Sequence, residues 1–214
     1  MEQIKFGTDG WRAIIGKEFT VDNVKRVSLG TARWIKQNSS EPSVVLGHDC
    51  RFAGPLFLQA AASVFVAEGI RVYFAEGFVS TPMISLGAKQ YNTTLGVIIT
   101  ASHNPPSYSG YKLKGNFGGP LLPDAIAEVE ALIPDFVPEV PEIDPASHAL
   151  CTRVDLEELY IERVKASFDL EAIKNSGQRF AYDAMYGAGQ RVMRRLFPEI
   201  DLLHCDENPG FMGT

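Results

Sequence analysis

The residues most able to do chemistry lie together in Thr100 to Lys114, "TASHNPPSYSGYKLK", where Ser102 stands beside a histidine and two prolines and two lysines fall within the same fifteen residues. A hydroxyl beside an imidazole suggests a nucleophile. A serine hydrolase is disfavoured, because the G-x-S-x-G turn is absent and adjacent side chains rarely reach nucleophile-to-base geometry. A phosphoryl acceptor fits better. A phosphate on Ser102 would add about two negative charges near neutral pH, which cations, backbone donors or a metal must hold. His103, Lys112 and Lys114 are the local candidates. The bland alternative is a capped surface turn stiffened by its prolines. Against it, the apolar run "TLGVII" leads straight into the loop, and Gly110 and Gly115 constrain the return path.

The elements that must position this loop alternate. From Thr20 a helical spacing of Val24, Val27, Ala32, Trp34 and Ile35 predicts a helix to about Gln37, with Thr20 or Asp22 as its cap. A short β-branched run at 43–49 predicts a strand, and "PLFLQAAASVFVAEG" a helix with a proline start and a stop at Gly69. A strand at 70–76, a helix at 81–91 and a strand at 94–102 follow. Such alternation implies an α/β fold with a mainly parallel sheet covered by helices on both faces. Ligands of these sheets bind at the carboxyl ends of strands, so the loops beginning at His48, Glu76 and Thr100 belong on one edge. "KLKGNFGGPLL" predicts a hairpin with glycine turns; it lacks the spacing of a Walker loop.

Beyond a helix near 123–133, four prolines and several acids in "PDFVPEVPEIDPASHA" mark a linker. The chain therefore divides into a first unit over 1–137, a linker over 138–150 and a second unit over 151–214. In the second unit 155–173 predicts one long amphipathic helix, 178–184 a strand, 187–197 a helix and 200–207 a strand. Two strands and one crossover helix are too little for a complete doubly wound domain, so the second unit reads as incomplete and the chain as part of something longer.

Composition narrows the function. With 45% hydrophobic and 21% charged residues in 214 the chain has an ordinary globular makeup. A net charge of -6 argues against nucleic acid as a partner. No apolar run suits a signal core or a membrane span, which points to the cytoplasm and to no membrane partner. Cys50, Cys151 and Cys205 are odd in number and widely spaced, giving neither a disulfide framework nor a zinc site, although each has a histidine nearby.

Three motifs in order resemble the α-D-phosphohexomutases, the family of phosphoglucomutases and phosphomannomutases. "TASHNPPSYSGYK" resembles the family's phosphoserine loop, "FGTDGWRA" at 6–13 its N-terminal motif, and "DAMYGAG" at 183–189 the start of its second domain. The resemblance implies an intramolecular phosphotransferase, an isomerase that interconverts hexose 1-phosphate and hexose 6-phosphate through a phosphoserine and a hexose 1,6-bisphosphate. Ser102 matches the phosphoserine, with His103 against it. Lys112 matches the family's proton shuttle or phosphate clamp, and Arg12 an arginine that approaches the transferring phosphate. His48, Asp49 and Arg51, in "GHDCR", sit at a strand end with a scaffold role at least as fitting as a catalytic one. Ser109 departs from the family's usual asparagine, though it keeps a hydroxyl there.

The family also holds Mg²⁺ on a three-aspartate loop, usually "DGDADR", and no such run occurs here. Only the phosphate on Ser102 can be offered as a metal ligand, and a hard divalent cation needs about six oxygens. The remaining ligands and the sugar-selecting loops are expected in further domains of a full-length enzyme, and this chain alone is expected to be inactive. The competing expectation is a non-catalytic sugar-phosphate-binding or regulatory module derived from the family.

Overall fold

The computed structural model describes residues 3–7 and 10–213; Thr8 and Asp9 of the N-terminal motif lie outside the described residues. In chain order the first elements are β1 (Trp11–Ile14), α1 (Val21–Asn38), β2 (Ser43–His48), α2 (Gly54–Ala67), β3 (Arg71–Phe78), α3 (Thr81–Gln90), β4 (Leu95–Ile99), β5 (Tyr108–Gly115) and α4 (Pro123–Ala131). After the proline-rich segment come β6 (Cys151–Val154), α5 (Leu156–Ser167), α6 (Leu170–Lys174), β7 (Ala181–Asp183), α7 (Gln190–Leu196) and β8 (Asp201–Leu203).

Local chemistry sets the boundaries of the first helices. The Thr20 hydroxyl accepts from the Asn23 amide and caps α1, while α2 carries Pro55 in its first turn and is followed by Gly69 at φ 75°. The strands between them form a sheet in the order β1-β5-β4-β2-β3-β6. β2 pairs in parallel with both β3 and β4, and β6 extends this parallel part beside β3. β5 runs antiparallel to β4 and β1 antiparallel to β5, so the sheet is mixed.

Alternate residues of the central strands feed two cores. Val44, Leu46, Val97 and Ile99 pack against α1, α2 and α4, while Val45 and Ile98 pack against α3, α5 and α7. Helices on both faces explain why these strands are continuous apolar runs. The expected layered α/β fold is therefore present, and with it the carboxyl edge where β2 and β4 end side by side at His48 and Ile99.

Several details differ from the sequence pattern, among them the strands expected over 178–184 and 200–207, which shorten to Ala181–Asp183 and Asp201–Leu203. The helix expected over 155–173 is two, because Phe168 is extended (φ -132°, ψ 142°) and the Asp169 carboxylate accepts from the Ala172 amide, starting a new helix. The segment at 138–150 has neither helix nor strand, but β6 after it joins the first sheet and α5 packs on that sheet's second core. β3 runs to Phe78, so Glu76 lies inside a strand and pairs with Arg153 at 3.0 Å rather than opening a loop. The remaining sheet is the parallel pair β7-β8. Among the described residues no helix is long and apolar enough to cross a membrane.

Candidate active site

The serine loop joins two antiparallel neighbours, β4 and β5. The Thr100 amide donates to the Gly110 carbonyl at 2.9 Å and closes the loop. A Cβ at Gly110 would stand 2.6 Å from the Thr100 oxygen and 2.7 Å from the Trp11 oxygen, so only glycine lets the loop and β1 approach so closely. Within the loop Ser102 has φ 59°, a left-handed conformation rare for a non-glycine residue. Its amide donates to Thr100 Oγ1 at 3.1 Å, and its exposed hydroxyl lies 3.5 Å from His103 Nδ1, at the outer limit of a hydrogen bond.

Arg51 stands beneath this turn with its side chain only 2% exposed. Its Nη1 donates to the carbonyls of Pro105 and Tyr108, both at 2.9 Å, and its Nη2 to those of Ser102 and Asn104, at 2.9 and 2.7 Å. Nε is buried, without a hydrogen-bond partner among the described residues, and faces Asp49 Oδ2 at 3.4 Å as an ion pair. Asp49 in turn accepts the Thr100 hydroxyl and the Arg51 amide. Burial pushes the Asp49 carboxyl above its usual range, opposed by Thr100 and then by Arg51. The same burial lowers the Arg51 guanidinium, opposed by Asp49.

Burial also shifts the neighbours of this pair. Burial lifts the Cys50 thiol to about 12, so it is no thiolate nucleophile. Burial also lowers the His48 imidazole, whose Nδ1 lies 2.7 Å from the Asp49 carbonyl.

Of the residues singled out from sequence, three converge on the loop. Arg12, opposite Gly110 in the β1-β5 pair, donates to Asn104 Oδ1 at 3.2 Å, and Ser102 and His103 share a cavity of about 510 Å³. Lys112 does not line that cavity; it is 5% exposed in β5, opposite Ile98. Ser109 is fully buried, and its hydroxyl has no hydrogen-bond partner among the described residues. The cavity's far wall comes from residues after the proline-rich segment, through Met185, Gly187, Ala188 and Phe211. Larger hollows of about 640 and 690 Å³ lie elsewhere and include none of these residues.

Sequence reasoning missed the extent of the Arg51 network and the part played by Asn104 and Phe211, whose ring lies 5.1 Å from the Arg51 guanidinium. No group of three or more His, Cys, Asp or Glu suited to a metal occurs among the described residues. These residues by themselves therefore do not fit a magnesium cage.

Residues 3–136 match the phosphoglucomutase/phosphomannomutase family, alpha/beta/alpha domain I. The chain belongs to that family. A phosphoglucomutase of Staphylococcus haemolyticus is 28% identical over 99% of this chain and 41% of its own length. A Schizosaccharomyces pombe protein provisionally named a phosphoribomutase is 39% identical over 56% of this chain and 22% of its own length. A crystal structure from Thermus thermophilus, likewise provisionally named a phosphomannomutase, superposes with a TM-score of 0.88 at 31% identity, covering 100% of this chain and 48% of that one. The chain thus spans less than half the length of these relatives.

Proposed function

We propose that this chain carries the phosphoryl-accepting serine of an enzyme that interconverts hexose 1-phosphate and hexose 6-phosphate. The observation that carries it is Ser102, held in a left-handed turn at the carboxyl edge of the sheet with its hydroxyl open to a cavity that Met185, Gly187, Ala188 and Phe211 also line. Ser102 Oγ attacks the phosphorus of a hexose 1,6-bisphosphate. The Oγ–P bond forms as the bond from phosphorus to the sugar oxygen breaks, the serine proton leaves for a base, and the freed sugar oxygen takes up a proton. When the phosphate lost is the one on O1, hexose 6-phosphate is released; the phosphoserine then phosphorylates the free 6-hydroxyl of a hexose 1-phosphate, the Oγ–P bond breaking as the new O–P bond forms, which regenerates the bisphosphate, so two in-line transfers at one site accomplish the isomerisation.

His103 is the neighbouring base, and Arg12 reaches the loop through Asn104 with a guanidinium suited to phosphate oxygens. Lys112 keeps its role as shuttle or clamp by resemblance alone, since it lies within the sheet. The family is generally magnesium-dependent; the ion would neutralise phosphate charge, with the phosphate on Ser102 as the ligand from these residues. We assign its other ligands, and the choice of sugar, to the part of the relatives that this chain does not span.

Intact mass spectrometry after incubation with glucose 1,6-bisphosphate tests the proposal. The chain is expected to gain one phosphate, and Ser102→Ala to gain none. A wild-type chain that stays unmodified, yet binds hexose phosphate in a calorimeter, would replace the enzyme by a non-catalytic sugar-phosphate-binding module.

A further inference from the structure

We infer that Arg51 is a positioning residue for the transfer to Ser102, acting on the loop backbone rather than on the phosphate, an inference that rests on Ser102 being the acceptor. A guanidinium offers five N–H donors in a fixed fork. Here the four on Nη1 and Nη2 each go to a different carbonyl, from Ser102, Asn104, Pro105 and Tyr108, so one side chain fixes the loop at four points. The fifth, on Nε, faces Asp49. With 2% of the side chain exposed, Phe211 beside its guanidinium and its one unbonded donor buried against Asp49, Arg51 offers no accessible donor to a sugar phosphate.

Ser102 is gripped on both sides. Its carbonyl accepts from Arg51, and its amide donates to Thr100 Oγ1, whose hydroxyl donates to Asp49, the partner of Arg51. The circuit closes around the residue with φ 59°, which is strained and persists only where its surroundings over-determine it. Both charged members leave the carboxyl end of β2, the strand beside β4, so the sheet itself sets the distance between clamp and serine. An oriented hydroxyl needs no reorganisation before attack. A lysine at position 51 keeps the charge but offers a single ammonium that cannot serve four divergent carbonyls.

The test follows the rate of Ser102 phosphorylation at increasing glucose 1,6-bisphosphate, by quenched-flow mass spectrometry, with the melting temperature and backbone hydrogen exchange of each protein. Arg51→Lys is expected to stay folded and to lose about 100-fold in maximal rate, with the half-saturating concentration within about twofold of wild type. Exchange of the amides in 102–108 should rise while that of β2 and α2 stays put. Thr100→Val, which releases only the amide side, should lose about tenfold. If Arg51→Lys is unfolded, Arg51→Ala with added guanidinium takes its place, and recovery of the rate with guanidinium but not ammonium supports the clamp.

A wild-type maximal rate in Arg51→Lys overturns the inference. So does a loss confined to the half-saturating concentration, which would place Arg51 on the substrate, and so does unchanged exchange in the loop. If wild type takes no phosphate, the acceptor role of Ser102 fails instead, and the exchange pattern still decides whether Arg51 holds the loop.

Discussion

Two turns leave parallel strands in this chain, and they use the same local device in different surroundings. The turn after β4 holds Ser102 at φ 59°, and the turn after β7 holds Met185 at 47° and Tyr186 at 59°. Each supports its strained residues through a side chain two positions back: Thr100 Oγ1 accepts from the Ser102 amide, and Asp183 Oδ1 accepts from the Met185 amide. That amide bond, and then His204, lowers the Asp183 carboxyl below its usual range. The surroundings separate them. The first turn is bounded by interior strands and gripped from below by a buried Arg51-Asp49 pair, whereas the second follows a three-residue strand, with Met185 66% exposed. Strain at an isolated turn is a local cost; the same strain clamped by a buried ion pair becomes a way to aim a hydroxyl.

The strongest way to break this contrast is to wedge the first turn apart. Gly110→Ala forces a methyl against the Thr100 and Trp11 carbonyls and should cost about 2–3 kcal/mol of unfolding free energy, read by denaturant titration. A variant as stable as wild type would show that the packing around the loop is loose after all. At the second turn the expectation has the opposite sign. Met185→Gly relieves the left-handed strain, less glycine's chain entropy, for a gain of about 0.5–1 kcal/mol, and a loss in the same titration would mean that this turn too is held from outside.

The smallest effect is a slope with pH. Burial lowers His48, so below about pH 6.5 the unfolded chain binds a proton that the folded chain refuses, and stability falls on acidification. Asp49, raised by burial, acts in the other sense, its contribution present at low pH and lost as pH rises through its folded value. His48→Gln removes only the first effect. The difference in melting temperature between about pH 7.5 and pH 5.5 should shrink in that variant, and an unchanged difference would remove His48 from the electrostatics beneath the loop.

Much of the frame was legible because the chain marks it twice, by apolar β-branched runs and by the prolines and glycines between them. β2, α2 and α3 lie where those signals put them, while β3 runs on to Phe78 and β4 stops at Ile99, short of the expected Ser102. β5 carried no such mark: it contains Ser109, Gly110, Lys112 and Lys114, polar or small residues that a buried strand seldom holds, yet all four are buried. The glycine-rich return was visible, and the Gly115 amide does reach the Gly119 carbonyl, but pairing of β5 with both β4 and β1 was not. Ser102 could be singled out from its neighbours in sequence. The Arg51 network could not, because its partners are main-chain carbonyls, which every residue possesses.

The place of β1 bears on how the molecule is made. Trp11 pairs with Tyr111 and Arg12 with Gly110, and β5 is the only strand that β1 adjoins in its sheet among the described residues. At a synthesis rate of about 5–20 residues per second, the segment bearing Arg12 leaves the ribosome seconds before its partner strand exists. The β2-α2-β3 unit can assemble in that interval from contacts close in sequence, while the serine loop and the arginine meant to face it can come together only once β5 has emerged. A stalled or prematurely released chain would thus display a formed parallel core with its first strand dangling, which makes β1 the natural place for quality control to recognise an unfinished molecule.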